Sequence, residues 1–547
     1  MASLVLGPLL RHIGPTDATV WVETDAPCKV EVLGHGAKTF HVEGHHYGLV
    51  VVDGLEPGRT YEYGVSLDGA PAWPEEGSSF PPSVLRPTGD DHALRLLFGS
   101  CRLSLPHEPP YTLSPDEDER GRGLDALRAV ALRMTREPND EWPRAIFFIG
   151  DQVYADEVSP KTLEFIRARR DTSVPPGEEI ADFEEYTRLY WESWQDPVIR
   201  WLLSTVSSSM LFDDHDVHDD WNISDDWVAR MRQKPWWDER IVGAFMSYWL
   251  YQHLGNLSPA ELAQEEILER VRAADDGGPL LREFAFVADR EVKGRRWSFY
   301  RDFGRTRLVA IDCRAGRVLE EGKRLMIDDE EWEWLRETAT GDFDHLLLAM
   351  GDPYLLAPGI HDVQAWNEAV CGGAWGAPAA TLGEKIREAL DLDHWASFPR
   401  AFRRLTELVT EVGQGKRGRP PASIVALSGD VHNAYLAQVG FRRGTGVQSN
   451  VYQAVCSPIR NPLDAKERRA QRFATTPLAT VIGRVLRISA GVPPPEIRWR
   501  FVREPSFDNQ IATLELDGRS ALLRVERAVE RGDSGPELEL VFDYTLA

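Results

Sequence analysis

An acidic run with interspersed histidines is the stretch of this sequence best suited to chemistry. It occupies residues 207–222 (SSSMLFDDHDVHDDWN), where a short apolar run leads directly into Asp213, Asp214 and His215. Carboxylates this close together repel one another unless cations lie between them, and hard divalent cations prefer carboxylate and carbonyl oxygens. The run therefore predicts a metal site. A solvated acidic loop is the alternative.

Four other segments share the same layout, an apolar run that ends at a metal-competent residue. They are RLLFGSCR (95–102), AIFFIGDQVY (145–154), HLLLAMGDP (345–353) and SIVALSGDVH (423–432). Continuous apolar runs of this length are typical of buried parallel strands, and ligands bind beyond the carboxyl ends of such strands. The shared layout predicts that these loops converge, and it favours a metal site over separate acidic loops.

The candidate ligands divide by chemistry. Cys101, Tyr154 and His432 would offer a thiolate, a phenolate and an imidazole, which suit a redox or borderline transition metal. Asp214 and Asp430 would offer hard oxygens for calcium, magnesium or manganese, and Asp151 could bridge the two ions. Each residue alone is a weak signal, since a buried cysteine is more often a small hydrophobic residue. Together they predict two unlike metals side by side.

Further residues near these motifs have open roles. Asp312 and Arg314, in AIDCR, are predicted to form an internal ion pair at the rim of the site. His394 either lines the pocket or caps the following helix, and Asp352 is either an added ligand or a turn residue.

The elements that must position these residues change in character along the chain. Residues 1–88 alternate short β-like runs with Gly, Pro and Asp, which predicts an N-terminal antiparallel β-sandwich domain. From residue 89 to 547 strands alternate with helix-like stretches, which predicts an α/β catalytic domain with a helical insertion at about 160–275. The segment 351–381 is rich in Gly, Ala and Pro and predicts a long surface excursion.

Composition excludes some classes of function. The 547 residues include 62 basic and 87 acidic side chains, a net charge of −25. This balance argues against binding to a nucleic-acid duplex, which needs a basic surface, whereas a small phosphate-bearing substrate is compatible if metal ions supply local positive charge. Five scattered cysteines do not form a disulfide framework.

Targeting signals are also informative. The N-terminal residues lack a basic leader and a long apolar segment, and no run has the length of a transmembrane helix. A cytoplasmic protein is predicted, with a longer, secreted precursor left open. The sequence leaves the oligomeric state open.

Taken in order, the motifs GSCR, GDQVYADE, FDDHDVHDDW, AIDCR and SGDVH resemble the PhoD-type alkaline phosphatase and phosphodiesterase family, a branch of the calcineurin-like metallophosphatases. The resemblance extends over roughly residues 1–465. It implies an αββα metallophosphatase-like sandwich preceded by a small all-β Ig/fibronectin-like sandwich. It also implies a ferric ion, Fe(3+), held by Cys101, Asp151, Tyr154 and His432, and a calcium ion, Ca(2+), held by Asp151, Asp214 and Asp430. An aspartate stands where the family has an asparagine near the third motif, so Mn(2+), Mg(2+) and Zn(2+) remain alternatives at the second site.

The activity implied by the resemblance is hydrolysis of small phosphomonoesters and/or phosphodiesters, with water or hydroxide on the metal ions as the nucleophile. Because it adjoins Asp214, His215 is the candidate proton donor to the leaving group or a hydrogen-bond donor that orients the phosphate. The alternative is a histidine that only supports the metal ligands. Arg102 would contact phosphate oxygens or pair with an acidic loop. The alternative is a non-catalytic, calcium-stabilised binding protein on the same fold. Lipid, teichoic-acid and nucleotide esters all remain open as substrates.

Overall fold

The secondary structure is mixed α/β behind an all-β N-terminal region. It is taken from a computed structural model that describes residues 1–89, 93–291, 296–532 and 535–547. The predicted domain boundary at residues 88 and 89 lies beside the first gap, and residues 90–92 of the predicted catalytic domain lie outside the described residues. The division into domains stays a prediction.

The N-terminal region is built from short antiparallel strands. Two four-stranded sheets have the orders β1-β2-β6-β5 and β4-β3-β8-β9, and β10 pairs with β7. In β3 and β5 alternate side chains are buried, as expected for strands with one face on a core, whereas every residue of β2 is buried. The strands are β1 (Leu4–Ile13), β2 (Ala18–Thr24), β3 (Lys29–Val32), β4 (His35–Lys38), β5 (Phe40–Val42), β6 (His45–Val52), β7 (Tyr61–Glu62), β8 (Val65–Leu67), β9 (Ala70–Trp73) and β10 (Val84–Leu85). The predicted all-β character of this region is confirmed.

The rest of the chain contributes two larger sheets, and the apolar runs of the sequence are their central strands. The strands are β11 (Leu94–Gly99), β12 (Ala145–Ile149), β13 (Ser207–Leu211), β14 (Phe299–Phe303), β15 (Thr306–Ala310), β16 (His345–Met350), β17 (Ser423–Ser428), β18 (Ala434–Gly440), β19 (Asn450–Val455), β20 (Arg498–Ser506), β21 (Gln510–Asp517), β22 (Ser520–Glu530) and β23 (Pro536–Thr545). One sheet has the order β13-β12-β11-β21-β22-β23, and the other has the order β14-β15-β16-β17-β19-β18-β20. Strands β11 to β13 are parallel, as are β15, β16, β17 and β19.

Apolar side chains on the facing sides of the two sheets form one cluster. Phe98 and Phe147 of the first sheet share it with Leu347 and Leu427 of the second. Because successive residues of a strand point to opposite faces, their neighbours pack outward against helices. Every residue of β12, β16 and β17 is therefore buried, which is why these strands have continuous apolar sequences.

Helices connect and cover these strands. They are α1 (Ala126–Met134), α2 (Pro160–Arg169), α3 (Phe183–Trp194), α4 (Pro197–Thr205), α5 (Asp225–Met231), α6 (Trp237–Ser247), α7 (Leu254–Asn256), α8 (Pro259–Leu262), α9 (Glu266–Ala273), α10 (Gly278–Arg290), α11 (Asp329–Thr338), α12 (Pro358–Cys371), α13 (Ala377–Ala389), α14 (Pro399–Gly413), α15 (Ala465–Ala474) and α16 (Pro477–Ser489). A π-helical segment, Tyr248–His253, joins α6 to α7, and Trp395–Ser397 form one 3₁₀ turn. None of the helices in the described ranges is long and apolar enough to cross a membrane.

The structure of two segments, 351–381 and 160–275, differs from the prediction made from the sequence. The surface excursion predicted at 351–381 is wrong for its first part, because residues 351–357 are buried and α12 packs on α16, whereas residues 372–378 are exposed. Its small residues allow close helix contacts: a Cβ on Gly359 would come within 3 Å of backbone atoms of Ala479 and Thr480 in α16. The range 160–275 is mostly helical, and it also contains the edge strand β13, which delivers the acidic run.

Candidate metal centre

The ends of parallel strands from both sheets meet at one place. Cys101 follows β11, Asp151 follows β12, and Asp430 follows β17. The thiol of Cys101 donates to Asp151 Oδ2 at 3.1 Å, and its sulfur also lies 3.7 Å from the backbone oxygen of Asp430. The backbone N–H of Asp430 donates to Ser100 Oγ at 3.0 Å. Loops that are more than 300 residues apart in the chain are thus in direct contact.

Tyr154 and Asp214 lie beside this contact. Tyr154 packs with Cys101 in a small buried cluster. Asp151, Asp213 and Asp214 each bring a carboxylate oxygen within 4.8 Å of the others, and all three residues are buried. His432 lines the same cavity as Asp214 and Asp430, two residues beyond Asp430. The structure therefore brings the six predicted ligands to one region of the molecule.

Backbone strain is concentrated in these residues. Cys101, Asp151, Asp430 and His432 have φ values of 58°, 49°, 64° and 50°. Non-glycine residues rarely adopt this left-handed conformation, and it persists where the surrounding structure holds side chains in a required direction. Four of the six predicted ligands are strained in this way, which supports a functional role for the loops.

Two glycines permit the close approach. A Cβ on Gly150 would lie 2.5 Å from the Asp213 side chain, and Gly150 itself has a φ of 87°. A Cβ on Gly429 would lie 2.1 Å from Ser100 Oγ. Only glycine fits at these two points, because any side chain would separate the strand ends.

Charge on the Asp151 side of the cluster is poorly compensated. Asp151 Oδ1, Asp213 Oδ2 and Asp214 Oδ1 are buried and accept no hydrogen bond from any described residue. Burial raises the pKa of the Asp151 carboxyl well above its usual range, and the neighbouring Cys101 and Asp213 raise it further. Burial also raises the pKa of the Cys101 thiol to about 12 and that of Tyr154 well above its usual value. A bound cation would relieve all of these penalties, so the donor set fits a metal ion.

The opposite side of the cluster already contains cationic side chains. Arg314 is buried, and its guanidinium lies 2.6 Å from Asp213 Oδ1, 2.5 Å from Asp393 Oδ2 and 3.1 Å from Asp352 Oδ1. It also reaches Asp430 Oδ1 at 3.3 Å. The predicted ion pair between Asp312 and Arg314 is wrong in its detail. Asp312 Oδ1 accepts the backbone N–H of Arg314, while the guanidinium extends into the acidic cluster.

His394 and Asp430 form a second contact on that side. His394 Nε2 lies 3.0 Å from Asp430 Oδ2, and His394 lines the cavity. Burial opposes ionisation of Asp430, but the His394 hydrogen bond and the charges of His394 and Arg314 lower its pKa to about 2. Asp352 is held by Arg317 Nη2 at 2.8 Å. Asp352, His394 and Asp430 also have ligand atoms within 4.8 Å of one another.

His215 is held in a defined orientation at the cavity wall. Its Nδ1 lies 2.9 Å from Asp156 Oδ2, and its ring packs on Tyr154 at a centroid distance of 4.6 Å. Its Nε2 is 3.7 Å from Asp219 Oδ1. Burial lowers the pKa of His215, but Asp156 and the nearby carboxylates outweigh it and hold the pKa well above the usual value.

Arg102 is engaged away from the cavity. Its guanidinium donates to Asp125 Oδ2 at 2.8 and 3.0 Å and to the backbone oxygen of Ser193 at 2.9 Å. Asp125 is the N-cap of α1. Pairing with an acid, which the sequence left as the alternative for Arg102, is the arrangement found, and this pairing ties the strand end to two helices.

The cavity over the cluster is large enough for a small ester. Its volume is about 690 Å³, and it is lined by Asp214, His215, Arg314, His394, Asp430 and His432. Sequence reasoning missed Asp213, Asp156 and the extent of the Arg314 network. Asp213 and Asp156 lie inside motifs already singled out, so their acidic character was a usable signal. The contacts of Arg314 could not be predicted from the sequence near it, because its partners are distant in the chain.

Comparison with known families gives two matches. The family described as PhoD-like phosphatase matches residues 129–282, and a domain of unknown function (DUF7800) matches residues 1–85. The first range contains Asp151, Tyr154, Asp214 and His215, whereas Cys101, Arg102, Asp430 and His432 lie outside it. No curated protein matches the chain.

A solved structure titled "Structure of PhoD" is similar over nearly the whole chain. The match covers 99 % of this chain and 90 % of that one, with a TM-score of 0.59 and 13 % sequence identity. At this identity the likeness concerns the fold. Together with the family match, it confirms the resemblance to the PhoD-type family that the ordered motifs predicted.

Proposed function

We propose, from the relation to PhoD-type phosphatases, that this chain is a metal-dependent hydrolase of phosphomonoesters and/or phosphodiesters. The observation that carries the proposal is the buried group of Asp151, Asp213 and Asp214 beside Cys101, at the base of an open cavity. One oxygen of each carboxylate accepts no hydrogen bond from the part of the chain that the structure describes. The PhoD-like phosphatase match supports the reaction class.

The residues divide between two cations as follows. Cys101, Asp151, Tyr154 and His432 would hold a ferric ion, and Asp151, Asp214 and Asp430 would hold calcium, manganese, magnesium or zinc. Asp213, with its partnerless oxygen, is a further candidate ligand. When bound, such ions lower the pKa of water and neutralise charge on a phosphoryl group. The fit is chemical, since thiol, phenol and clustered carboxyls all ionise more readily next to a cation.

The protein's own groups would orient the ester and move a proton. His215 lines the cavity, and Asp156 engages its Nδ1, which leaves Nε2 as the nitrogen that would protonate the leaving oxygen. Asp216 accepts backbone N–H groups of Asp151 and Asp213 at 3.2 and 3.0 Å, so it fixes two ligand loops relative to each other. Arg102 acts as a positioning residue through Asp125.

The finer description of the fold belongs to the same proposal. Two facing sheets with helices outside support an αββα metallophosphatase-like sandwich, and two short antiparallel sheets support an Ig/fibronectin-like N-terminal sandwich. We place the domains at 1–88 and 89–547.

Elemental analysis combined with hydrolysis assays tests the proposal. Metal-loaded protein should contain iron and a second metal, and should cleave p-nitrophenyl phosphate, its bis-ester, or both. Asp151→Asn should reduce the rate by about a thousandfold or more and lower the metal content, since it removes a shared ligand. Asp517→Asn, at the end of β21, is the matched control and should behave as the wild type.

The outcome separates the proposal from its rival. Fully metal-loaded protein that cleaves neither ester would overturn the activity. If Cys101→Ser and Tyr154→Phe also left the metal content unchanged, the alternative of a calcium-stabilised binding protein would be favoured, because a structural calcium site needs no thiolate or phenolate.

A further inference from the structure

Helix α16 exposes its apolar face to solvent. Five aliphatic residues, each between 43 % and 61 % exposed, recur at spacings of three and four, so they lie on one side of the helix. This set is called the α16 face here and consists of Leu478, Val481, Ile482, Val485 and Ile488. A surface helix normally points such a stripe toward the core, so this orientation is inverted.

The inverted orientation is held by specific contacts on the inner side. A Cβ on Gly483 would lie 2.3 Å from the backbone oxygen of Gly359, so the backbones of α16 and α12 approach closely there. One turn further on, buried Arg487 pairs with Asp362 of α12 at 2.8 Å. Rotating α16 to bury the apolar stripe would break this ion pair and lose the close contact. The α16 face is therefore fixed outward.

Aromatic side chains flank both ends of the α16 face. Phe473, at the end of α15, is 50 % exposed, and Trp375 is 46 % exposed. The indole N–H of Trp375 donates to the backbone oxygen of Ser489 at 3.2 Å, which fixes its ring at the C-terminal end of α16. Tryptophan is enriched at the boundary between water and lipid, and phenylalanine is common on the apolar face of helices that lie there.

Charge around the α16 face is opposite to that of the whole molecule. Residues 465–489 contain six basic residues and one acidic residue, in a chain whose net charge is −25. Arg468 and Arg487 are paired with Asp116 and Asp362. The other basic residues of the segment are exposed: Lys466, Arg469, Arg472 and Arg484.

The charge and apolar character of the α16 face favour binding to a lipid surface over binding to a second copy of the chain. A symmetric dimer through the α16 face would bring two basic clusters together, which like-charge repulsion disfavours. An anionic lipid surface can bind both the apolar residues of α16 and the exposed basic residues of α15 and α16. We propose that α15 and α16 form a docking surface for anionic lipid membranes.

The docking surface adjoins the cavity. Glu467 and Gln471 of α15, and Thr475 directly after it, line the cavity, so the segment that precedes α16 forms part of the cavity wall. Docking would hold the cavity mouth beside the lipid surface. This inference is independent of the reaction, because it rests on the outward face of α16 and its charge.

Vesicle sedimentation with the full chain tests the proposal. The probes are vesicles of phosphatidylcholine alone and of equal parts phosphatidylcholine and phosphatidylserine. We expect about tenfold more protein to sediment with the anionic vesicles at low salt, and less as salt screens the arginines. Val485→Asp, and separately the double variant R469E/R484E, should each lower this fraction by about fivefold or more.

The matched control is Val174→Asp. Val174 is 57 % exposed, close to the 60 % of Val485, and it lies far from α16 in the sequence. It should sediment as the wild type does. The proposal is overturned if the wild type binds neither vesicle or both equally, or if Val485→Asp matches Val174→Asp. It is also overturned if light scattering shows a dimer that Val485→Asp dissociates while vesicles bind nothing, because a second copy then covers the face.

Discussion

The acidic cluster contains two groups of carboxylates that differ in how many cationic side chains they contact, although Arg314 also reaches Asp213 Oδ1 at 2.6 Å. In the group around Asp151, Asp213 and Asp214, each carboxylate keeps one buried oxygen without a hydrogen-bond partner among the described residues. In the group around Asp352, Asp393 and Asp430, the carboxylates face Arg314, Arg317 and His394. A bound cation gains most where negative charge is least compensated, so the first group is the stronger candidate for tight metal binding.

The position of Arg314 affects how tightly the second metal ion would bind. Asp214 and Asp430 are its predicted ligands, yet Arg314 Nη2 lies 3.4 Å from Asp214 Oδ2 and 3.3 Å from Asp430 Oδ1. A cation bound between them would share these oxygens with a permanent positive charge. We therefore expect the second metal to bind more weakly than the first.

The largest expected effect comes from removing the permanent cation. Arg314→Met should lower the free energy of unfolding by about 3–5 kcal/mol, because it leaves several buried carboxylates without their shared partner. Urea unfolding in the presence of a chelator measures this loss. Arg336→Met is the control, since Arg336 pairs with Glu333 on the surface and should change stability by about 0.5 kcal/mol or less. Equal effects of the two variants would contradict the picture of a compensated group.

A substitution in the group around Asp151 should change the free energy of unfolding in the opposite direction. In metal-free protein, Asp151→Asn should raise the free energy of unfolding by about 1 kcal/mol, because it removes a buried acid next to other acids. With metal present the order should reverse, since only the wild type gains stability from binding the ion. Unfolding of both proteins with chelator and with added metal provides the measurement. A variant less stable than the wild type in chelator would refute the prediction.

A smaller effect on stability should come from His45, whose positive charge is lost as the pH rises. His45 of β6 lies 2.8 Å from Glu23 and 2.9 Å from Glu184 of α3, so it joins the N-terminal region to the helices. Burial alone would lower the pKa of His45, but the two glutamates raise it to about 9. Because the folded pKa exceeds the unfolded one, the stabilisation is complete below about pH 6.5 and is lost as the pH rises to about 9.

Solvent exposure of Glu184 reduces the size of that effect. Glu184 is 43 % exposed, so we expect a loss of about 1 kcal/mol across this pH range, as measured by unfolding at each pH. His45→Gln should flatten the pH dependence, whereas His35→Gln, beside the exposed Asp53, should leave it unchanged. A pH dependence that survives in His45→Gln would assign it to other groups.

The motifs that define the candidate site were readable without coordinates. Cys101, Asp151 and Asp430 each directly follow a continuous apolar run, and the structure places each at the end of a buried strand. The local sequence is enough to predict these strand ends, because a buried parallel strand is apolar on both faces and ends where polar residues begin. The same kind of prediction failed for part of segment 351–381, because the close contact of α12 with α16 leaves no signature in the local sequence.

Sequence alone determined which residues could bind metal ions and which reaction class they resemble. Tertiary structure decided which carboxylates contact a cationic side chain, because Arg314 reaches Asp213, Asp352, Asp393 and Asp430 across separations of 38 to 116 positions in the chain. It also decided that α16 turns its apolar side outward, since the partners that hold it lie on α12. Local patterns report the chemistry of a side chain, whereas its electrostatic state depends on neighbours that only folding brings together.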